Sequence, residues 1–368
     1  MVRVCSRHNI AIQQRRASHS RPNTNCGASR REFLRTLAVA GAGVALSARE
    51  LIAQRPSSLG RIDVHHHMAP EFYVKAMDKE IAPSGFRKWT PAVSLEVMDR
   101  AGVETAILSP AQGIVRDSLS DRSERARTLA RQNNEFGARV VQDNPKRFGL
   151  FAALPLPDPD ASIKEIAHSL DALKADGIAL FTSYLDKFPG DPAFAPVFDE
   201  LNRRQAIVFF HPAHSSCCRN LTSQSGMIDF DLDTARAIDS LLYEGTFSRC
   251  PEIRFIFSHA GGAFSVLAPR MVDDFPKKLA DRVPHGVQYE FNKLYFDTAH
   301  AGAAGPLDAI KDLVPVSQIL YGSDVPIRAY DLTDVKLKEY AGFSTNDWQA
   351  INRGNAERLF PRLKAQQS

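Results

Sequence analysis

From Arg61 onward the chain repeats one unit, a short run rich in Val, Ile and Phe followed by a longer amphipathic segment. Eight such runs occur: RIDVHHH (61–67), VETAILSPA (103–111), RFGLFAALPL (147–156), GIALFTSY (177–184), AIVFFHPAH (206–214), IRFIFSHAGG (253–262), LYFDTAHAG (294–302) and QILYGSDVPI (318–327). Near-continuous apolar runs of strand length, separated by helical periodicity, imply parallel strands covered on their faces by helices. Segments such as SERARTLARQNNEFGARVVQDNP and AFAPVFDELNRRQ carry that periodicity. Several helical patterns end at a Gly or Pro before the next strand, as at Gly102, Pro145 and Gly177. Eight strands alternating with helices over about three hundred residues fit a (β/α)8 TIM barrel. A doubly wound open sheet would carry a Gly-rich fingerprint after its first strand, and none stands there. No break rich in Pro, Gly or Ser divides residues 54–368, so they read as a single barrel domain.

The first 53 residues read differently. Ser29-Arg30-Arg31-Glu32-Phe33-Leu34-Arg35 is a twin-arginine pattern, followed by the apolar run TLAVAGAGVALSA at residues 36–48. That run has the length of a signal h-region and is too short and too rich in Gly and Ala to span a bilayer stably. The expectation is a leader read by the twin-arginine export machinery, cleaved between Ala45 and Ala53, with a periplasmic destination. The leader also accounts for the basic pI. Residues 1–53 hold nine Arg, no Lys and two acids, a charge of +7, against +4 for the whole chain, leaving −3 for the body. A weakly acidic body gives no electrostatic footing for nucleic acid or an anionic membrane. Without Cys5 and Cys26 of the leader, three cysteines remain: the adjacent Cys217 and Cys218, and Cys250. An odd number with no CxxC spacing argues for free thiols rather than a disulfide framework or a cysteine zinc site.

In a (β/α)8 barrel the active site lies at the carboxyl ends of the strands. Strand one ends in His65-His66-His67, strand five in His211, strand six in His259, strand seven in Asp297 and strand eight in Asp324. A lone histidine at a strand end is ordinarily a satisfied structural residue. His65, His67, His211 and His259, gathered with a carboxylate at one end of one barrel, reverse that expectation. Strand alternation puts Asp63, His65 and His67 on one side, and Val64 and His66 on the other. Neutral imidazole and carboxylate suit Zn²⁺ and similar divalent ions, with a coordination position left open for water or substrate. His65, His67, His211 and Asp324 can supply four donors, leaving His259 as a general acid or base.

IDVHHH, FFHP, FSHAGGAF and YGSDVP stand in the order and context of the amidohydrolase-related family that includes aminocarboxymuconate semialdehyde decarboxylase. The resemblance runs from Arg61 to the NAERLF segment ending at Phe360. It implies metal ligation by His65, His67, His211 and Asp324, with acid/base chemistry at His259. The ion implied is a single Zn²⁺, and another divalent metal such as Mn²⁺ suits the same donors. Strand four ends in Leu180-Phe181-Thr182-Ser183, without the lysine that binuclear relatives carbamylate, which implies a mononuclear site. Barrels of this family are often homodimers.

Members of the family divide between non-oxidative decarboxylases and hydrolases of lactones or esters, and both reactions use the same residues, with His259 or Asp324 supplying the proton in the first and acting as base in the second. Phe72, Tyr73, Trp89, Phe181 and Tyr184 are candidates to clamp a flat ring, and His300 is a candidate substrate contact. KWTPAVSLEVMDRAGVETAILS and LFTSY resemble the subgroup of 6-methylsalicylate decarboxylases. The expected activity is therefore metal-dependent decarboxylation of a hydroxylated aromatic acid to a phenol and CO2. Metal-dependent lactone or ester hydrolysis is the alternative. His214, Cys217 and Cys218 follow strand five without metal-ligand spacing and read as loop.

Overall fold

Each of the eight expected strands forms, and each begins within one residue of its expected start. The computed structural model describes residues 60–76, 84–110, 124–213 and 226–364; the leader, His214, Cys217 and Cys218 lie outside them. The strands are β1 (Arg61–Met68), β2 (Val103–Pro110), β3 (Phe148–Ala153), β4 (Gly177–Phe181), β5 (Ile207–His211), β6 (Arg254–Phe257), β7 (Tyr295–Asp297) and β8 (Ile319–Leu320). They form one parallel sheet in chain order. The β8 end returns to β1 through Val64 N–H on Tyr321 O, Asp324 N–H on His65 O and His67 N–H on Val325 O. The result is a nearly closed (β/α)8 barrel.

Local chemistry sets the helix boundaries. Before the helix Pro91–Ala101, the Thr90 hydroxyl accepts from Val93 N–H, and Pro91 occupies the first turn, where its missing N–H costs nothing. Gly102, at φ 68°, ends that helix in the left-handed region and turns the chain into β2. Asp158 caps the helix Pro159–Ala167 in the same manner as Thr90.

Alternation along the strands sorts two apolar layers. Ala106, Leu108, Leu150, Ile178, Val208, Phe210 and Phe257 face the helices. Ile62, Val64, Ile107, Phe151, Ala179, Phe209, Ile256 and Leu320 fill the barrel interior. Phe151 stacks on Phe209 with ring centroids 5.2 Å apart, and Phe360 of the C-terminal segment packs against Phe151 from below. With Leu363, Phe360 closes the amino-terminal end of the barrel. The imidazoles and Asp324 gather at the other end.

Two departures from the sequence reading bear on the site. Simple alternation placed Asp63 on the side of His65 and His67, and this is corrected by the pairing of β1 with β2. Asp63 pairs with Ala106 and His66 with Leu108, so three steps along β1 match two along β2. This irregularity, of the β-bulge kind, resets the facing of the strand. Asp63 and His66 both turn outward, while Val64, His65 and His67 turn inward. The later strands are also shorter than expected: β6, β7 and β8 end at Phe257, Asp297 and Leu320. His259, His300 and Asp324 lie beyond them at φ 57°, 57° and 69°, in the left-handed region that extended backbone does not visit.

Candidate active site

The outward pair on β1 anchors the inward pair. Asp63 accepts from His65 N–H, from Ser323 N–H and Oγ–H, and from the Tyr330 hydroxyl. His66 lies between Tyr330 Oη at 3.0 Å and Ser94 Oγ at 2.9 Å, fully buried against the helices. This knot ties β1 to the segment after β8, the two elements that carry three of the candidate ligands. Asp63 thus holds the ligands from outside the barrel wall.

At the carboxyl ends, His65, His67, His211 and Asp324 converge with one donor atom each, all within 4.8 Å of one another. His65 Nε2 is 3.2 Å from His67 Nε2 and 3.1 Å from Asp324 Oδ1. Asp324 Oδ1 is 2.8 Å from His67 Nε2 and 3.8 Å from His211 Nε2. Donors at bonding distance from a Zn²⁺ ion are about 3.3 Å apart, and the separations here, 2.8–3.8 Å, bracket that value. Each imidazole also has its rear nitrogen engaged, His65 Nδ1 by Asp297 Oδ2 at 2.8 Å, His67 Nδ1 by Ser109 Oγ at 3.0 Å and His211 Nδ1 by Pro212 O at 3.1 Å. Partners at Nδ1 fix the tautomer that presents Nε2 to a cation. His211 Nε2 is buried without a hydrogen-bond partner, an orphan that coordination would satisfy. The residues present fit a divalent cation.

Two glycines permit this packing. A Cβ at Gly322 would stand 2.8 Å from Asp297 Cβ and 3.0 Å from His65 Cβ, so only glycine lets Asp297 slide in behind His65. A Cβ at Gly85 would stand 2.4 Å from Pro326 O. Glycine there lets the short helix Ser84–Arg87 press on the segment after Asp324 and bring Phe86 edge-on to His67, 6.2 Å between centroids.

Electrostatics divides the cluster into unlike groups. Burial opposes a charge on His65, but the flanking carboxylates of Asp297 and Asp324 outweigh it and lift its pKa to about 10. Burial pushes His211 well below the usual histidine range and His67 below it, leaving both neutral. Burial opposes ionisation of Asp324, yet the charge of His65 and hydrogen bonds from neighbouring histidines hold it well below the carboxylate range. In the cation-free protein one imidazolium therefore carries the positive charge of the site. Coordination requires neutral His65, so cation uptake near pH 7 releases about one proton, and affinity rises with pH until the His65 pKa is passed. Calorimetric titration in buffers of different ionisation enthalpy measures that proton. Asp297→Asn removes the partner that orients His65, and an affinity loss of about 10–100-fold is expected, together with less proton release. Equilibrium dialysis against a metal buffer reads the affinity.

The second oxygen of Asp324 faces outward. Oδ2 lies 2.8 Å from His300 Nε2 and 3.7 Å from His259 Nε2. The His259 N–H donates to Asp297 Oδ1, so one carboxylate positions both His65 and His259. His259 Nε2 is buried and has no hydrogen-bond partner, whereas the His300 side chain is 40% exposed. A line of groups thus runs from solvent at His300 through Asp324 to His259.

The aromatic candidates distribute unevenly. Phe181 pairs in register with His211 at the end of β4, beside the site. Tyr184 is buried behind it, its hydroxyl accepting from Phe181 N–H and its ring packed on Phe194. Tyr73 is buried in the outer apolar layer, and Phe72 and Trp89 pack against Phe136 of the helix Glu124–Asp143. Phe72, Trp89 and Tyr184 make their ring contacts with Phe136, Phe181 and Phe194 rather than with the imidazoles. The rings that do touch the imidazoles are Phe86 and Phe209, the latter 5.1 Å from His65. Sequence reasoning passed over Phe86 because its place depends on Gly85 meeting Pro326, a contact spanning the whole chain. Ser109 and Asp297 at strand ends were visible signals whose role at Nδ1 only the geometry assigns. Cys250 is a buried free thiol, and burial pushes its pKa to about 11. No helix among the described residues is long and apolar enough to cross a membrane.

A barrel whose strand ends converge three histidines and an aspartate on one point defines a metal-dependent hydrolase type of fold, and the chain belongs to the amidohydrolase family, whose profile matches residues 62–362. Within it, the chain is 35% identical over 329 residues to the decarboxylase macB of Penicillium terrestre, across 83% of this chain and 96% of that one. It is 33% identical over 322 residues to the 6-methylsalicylic acid decarboxylase of Penicillium expansum, across 83% of this chain and 98% of that one. The dihydroxybenzoic acid decarboxylase of Polaromonas sp. JS666, solved with bound manganese and the inhibitor 2-nitroresorcinol, shares the fold. The TM-score is 0.72 at 22% identity, covering 83% of this chain and 98% of that one.

Proposed function

We propose that the chain is a carboxy-lyase that removes CO2 without oxidation from a hydroxylated aromatic acid of the 6-methylsalicylate kind, leaving a phenol. The observation that carries this reading is the buried His65, His67, His211 and Asp324 cluster in a chain similar along most of its length to decarboxylases. Zn²⁺ is the ion proposed, on the strength of three imidazoles among the four donors, with Mn²⁺ the alternative. A divalent cation held by these four residues supplies a Lewis acid for the substrate's carboxylate and neighbouring hydroxyl oxygens.

The chain's own groups perform the proton chemistry. His259 Nε2, buried and unpartnered, delivers its proton to the ring carbon that bears the carboxylate. The new C–H bond interrupts the aromatic ring, the C–C bond to the carboxylate then breaks, and its electron pair restores the ring as CO2 leaves. One proton is consumed per turnover. His300, open to solvent, returns it through Asp324 Oδ2 to His259. Phe86, Phe181 and Phe209 supply apolar wall beside the cluster, which favours a flat ring and disfavours bulk water.

The test is incubation of zinc-loaded protein with 6-methylsalicylate. Formation of 3-methylphenol and CO2, abolished by a chelator, is the expected result. No product from protein shown to contain metal rejects this substrate. We further propose that residues 1–53 direct export of the folded barrel to the periplasm by the twin-arginine route. The Arg30-Arg31 pattern and the apolar run after it support this, and a chain found only full-length and only in the cytoplasm refutes it.

A further inference from the structure

The outer face of Asp324 carries a second set of donors. His259, His300 and Asp324 offer one ligand atom each, all within 4.8 Å of one another. Asp324 enters both this set and the inner one, through Oδ1 toward His65, His67 and His211 and through Oδ2 toward His300 and His259. His259 and His300 meet edge to face with centroids 5.0 Å apart, so their Nε2 atoms approach the same oxygen from different sides. The second independent observation is the orphaned His259 Nε2, which is buried and has no hydrogen-bond partner.

We propose that His259, His300 and Asp324 Oδ2 form a second, weaker site for a divalent cation, bridged to the inner one by the Asp324 carboxylate. The inference rests on the inner donors holding the first ion, and it departs from the mononuclear site implied by the missing strand-four lysine, because the shared carboxylate of Asp324 is the bridge here. Three facts suit the outer set to such a role. Carboxylate-bridged ions sit about 3.5–4 Å apart, a separation that the two oxygens of one carboxylate serve. A further carboxylate stands on the element packed against the turn after His259: Asp231 of the helix Gly226–Tyr243. Its main chain is locked to the turn after His259, since Asp231 O accepts from Ala263 N–H and a Cβ on Gly262 would stand 2.7 Å from Asp231 Cα. Finally, His300 is 40% exposed, so this ion exchanges with solvent while the inner one is enclosed.

The two sites have opposite consequences. The inner ion serves the reaction. The outer ion occupies His259 Nε2, the atom that carries the proton, so cation beyond one equivalent inhibits. The chain then senses divalent cation with a single shared carboxylate, active at one ion and silenced at two.

The test uses Mn²⁺ as the probe and electron paramagnetic resonance as the readout, on the full chain without substrate. One equivalent should give the spectrum of an isolated ion. A second equivalent should convert it to an exchange-coupled spectrum, which ions bound elsewhere on the surface cannot produce. His300→Gln should retain the isolated-ion spectrum at one equivalent and develop no coupling at two. Asp231→Asn should keep the coupled spectrum but need about tenfold more Mn²⁺ to reach it, an order-of-magnitude effect for one nearby carboxylate. Isolated-ion spectra at two equivalents of the unaltered protein overturn the proposal, as does coupling that persists in His300→Gln. Absence of a firmly held first equivalent in either protein overturns the inner centre as well.

Discussion

Asp324→Asn should yield a folded protein that cannot retain its cation and turns over at most a thousandth as fast. The side chain is the only carboxylate in a cluster of three imidazoles, and both of its oxygens are committed. Asn keeps the shape and one acceptor but loses the charge that a dication requires. The expected affinity loss exceeds the roughly hundredfold seen when only a supporting partner is removed. Several kcal/mol of charge stabilisation disappear from the reaction, on the order of a thousandfold or more in rate. Asn is also the informative choice for the backbone. Residue 324 sits at φ 69°, a conformation Asn tolerates, whereas Ala would add strain of about 1–2 kcal/mol and blur the comparison. Metal content after dialysis and the rate with 6-methylsalicylate are measured together. Full activity in Asp324→Asn would remove this residue from the site.

His259→Gln should separate metal binding from proton delivery. His259 is not among the four inner donors, and its main-chain tie to Asp297 does not depend on the ring. The variant should therefore hold the first ion as firmly as the parent. Its turnover should fall by about 10²–10⁴, the range for losing a positioned acid or base. KM should change far less than kcat, because the amide can still occupy the space near Asp324 but cannot pass on a proton. A variant that loses metal and activity in parallel would make His259 an inner ligand instead.

The architecture was legible in the sequence because a parallel barrel announces itself locally. Each strand is buried on both faces, so runs such as GIALF and IVFFH read as strands from composition alone. The donors were legible because strand ends in this fold are where chemistry collects, and His211 and Asp297 close their strands. What alternation could not supply was the facing of Asp63. It depends on how β1 pairs with β2, some forty residues away, and the irregular register between Asp63 and His66 has no signature in RIDVHHHM itself. The packing of the candidate rings was hidden for the same reason. Phe72 and Trp89 are near strand one in sequence, yet they find Phe136 on another helix, while Phe86 reaches His67 through a glycine contact with Pro326. Long-range contacts decide which of several suitable rings comes to lie against the imidazoles.

The floor of the barrel governs traffic. Phe151, Phe209, Phe360 and Leu363 pack together as an apolar plug between the imidazole cluster and the amino-terminal end. The proposed acid and its phenol are then expected to pass on the carboxyl-end side, where His300 opens to solvent.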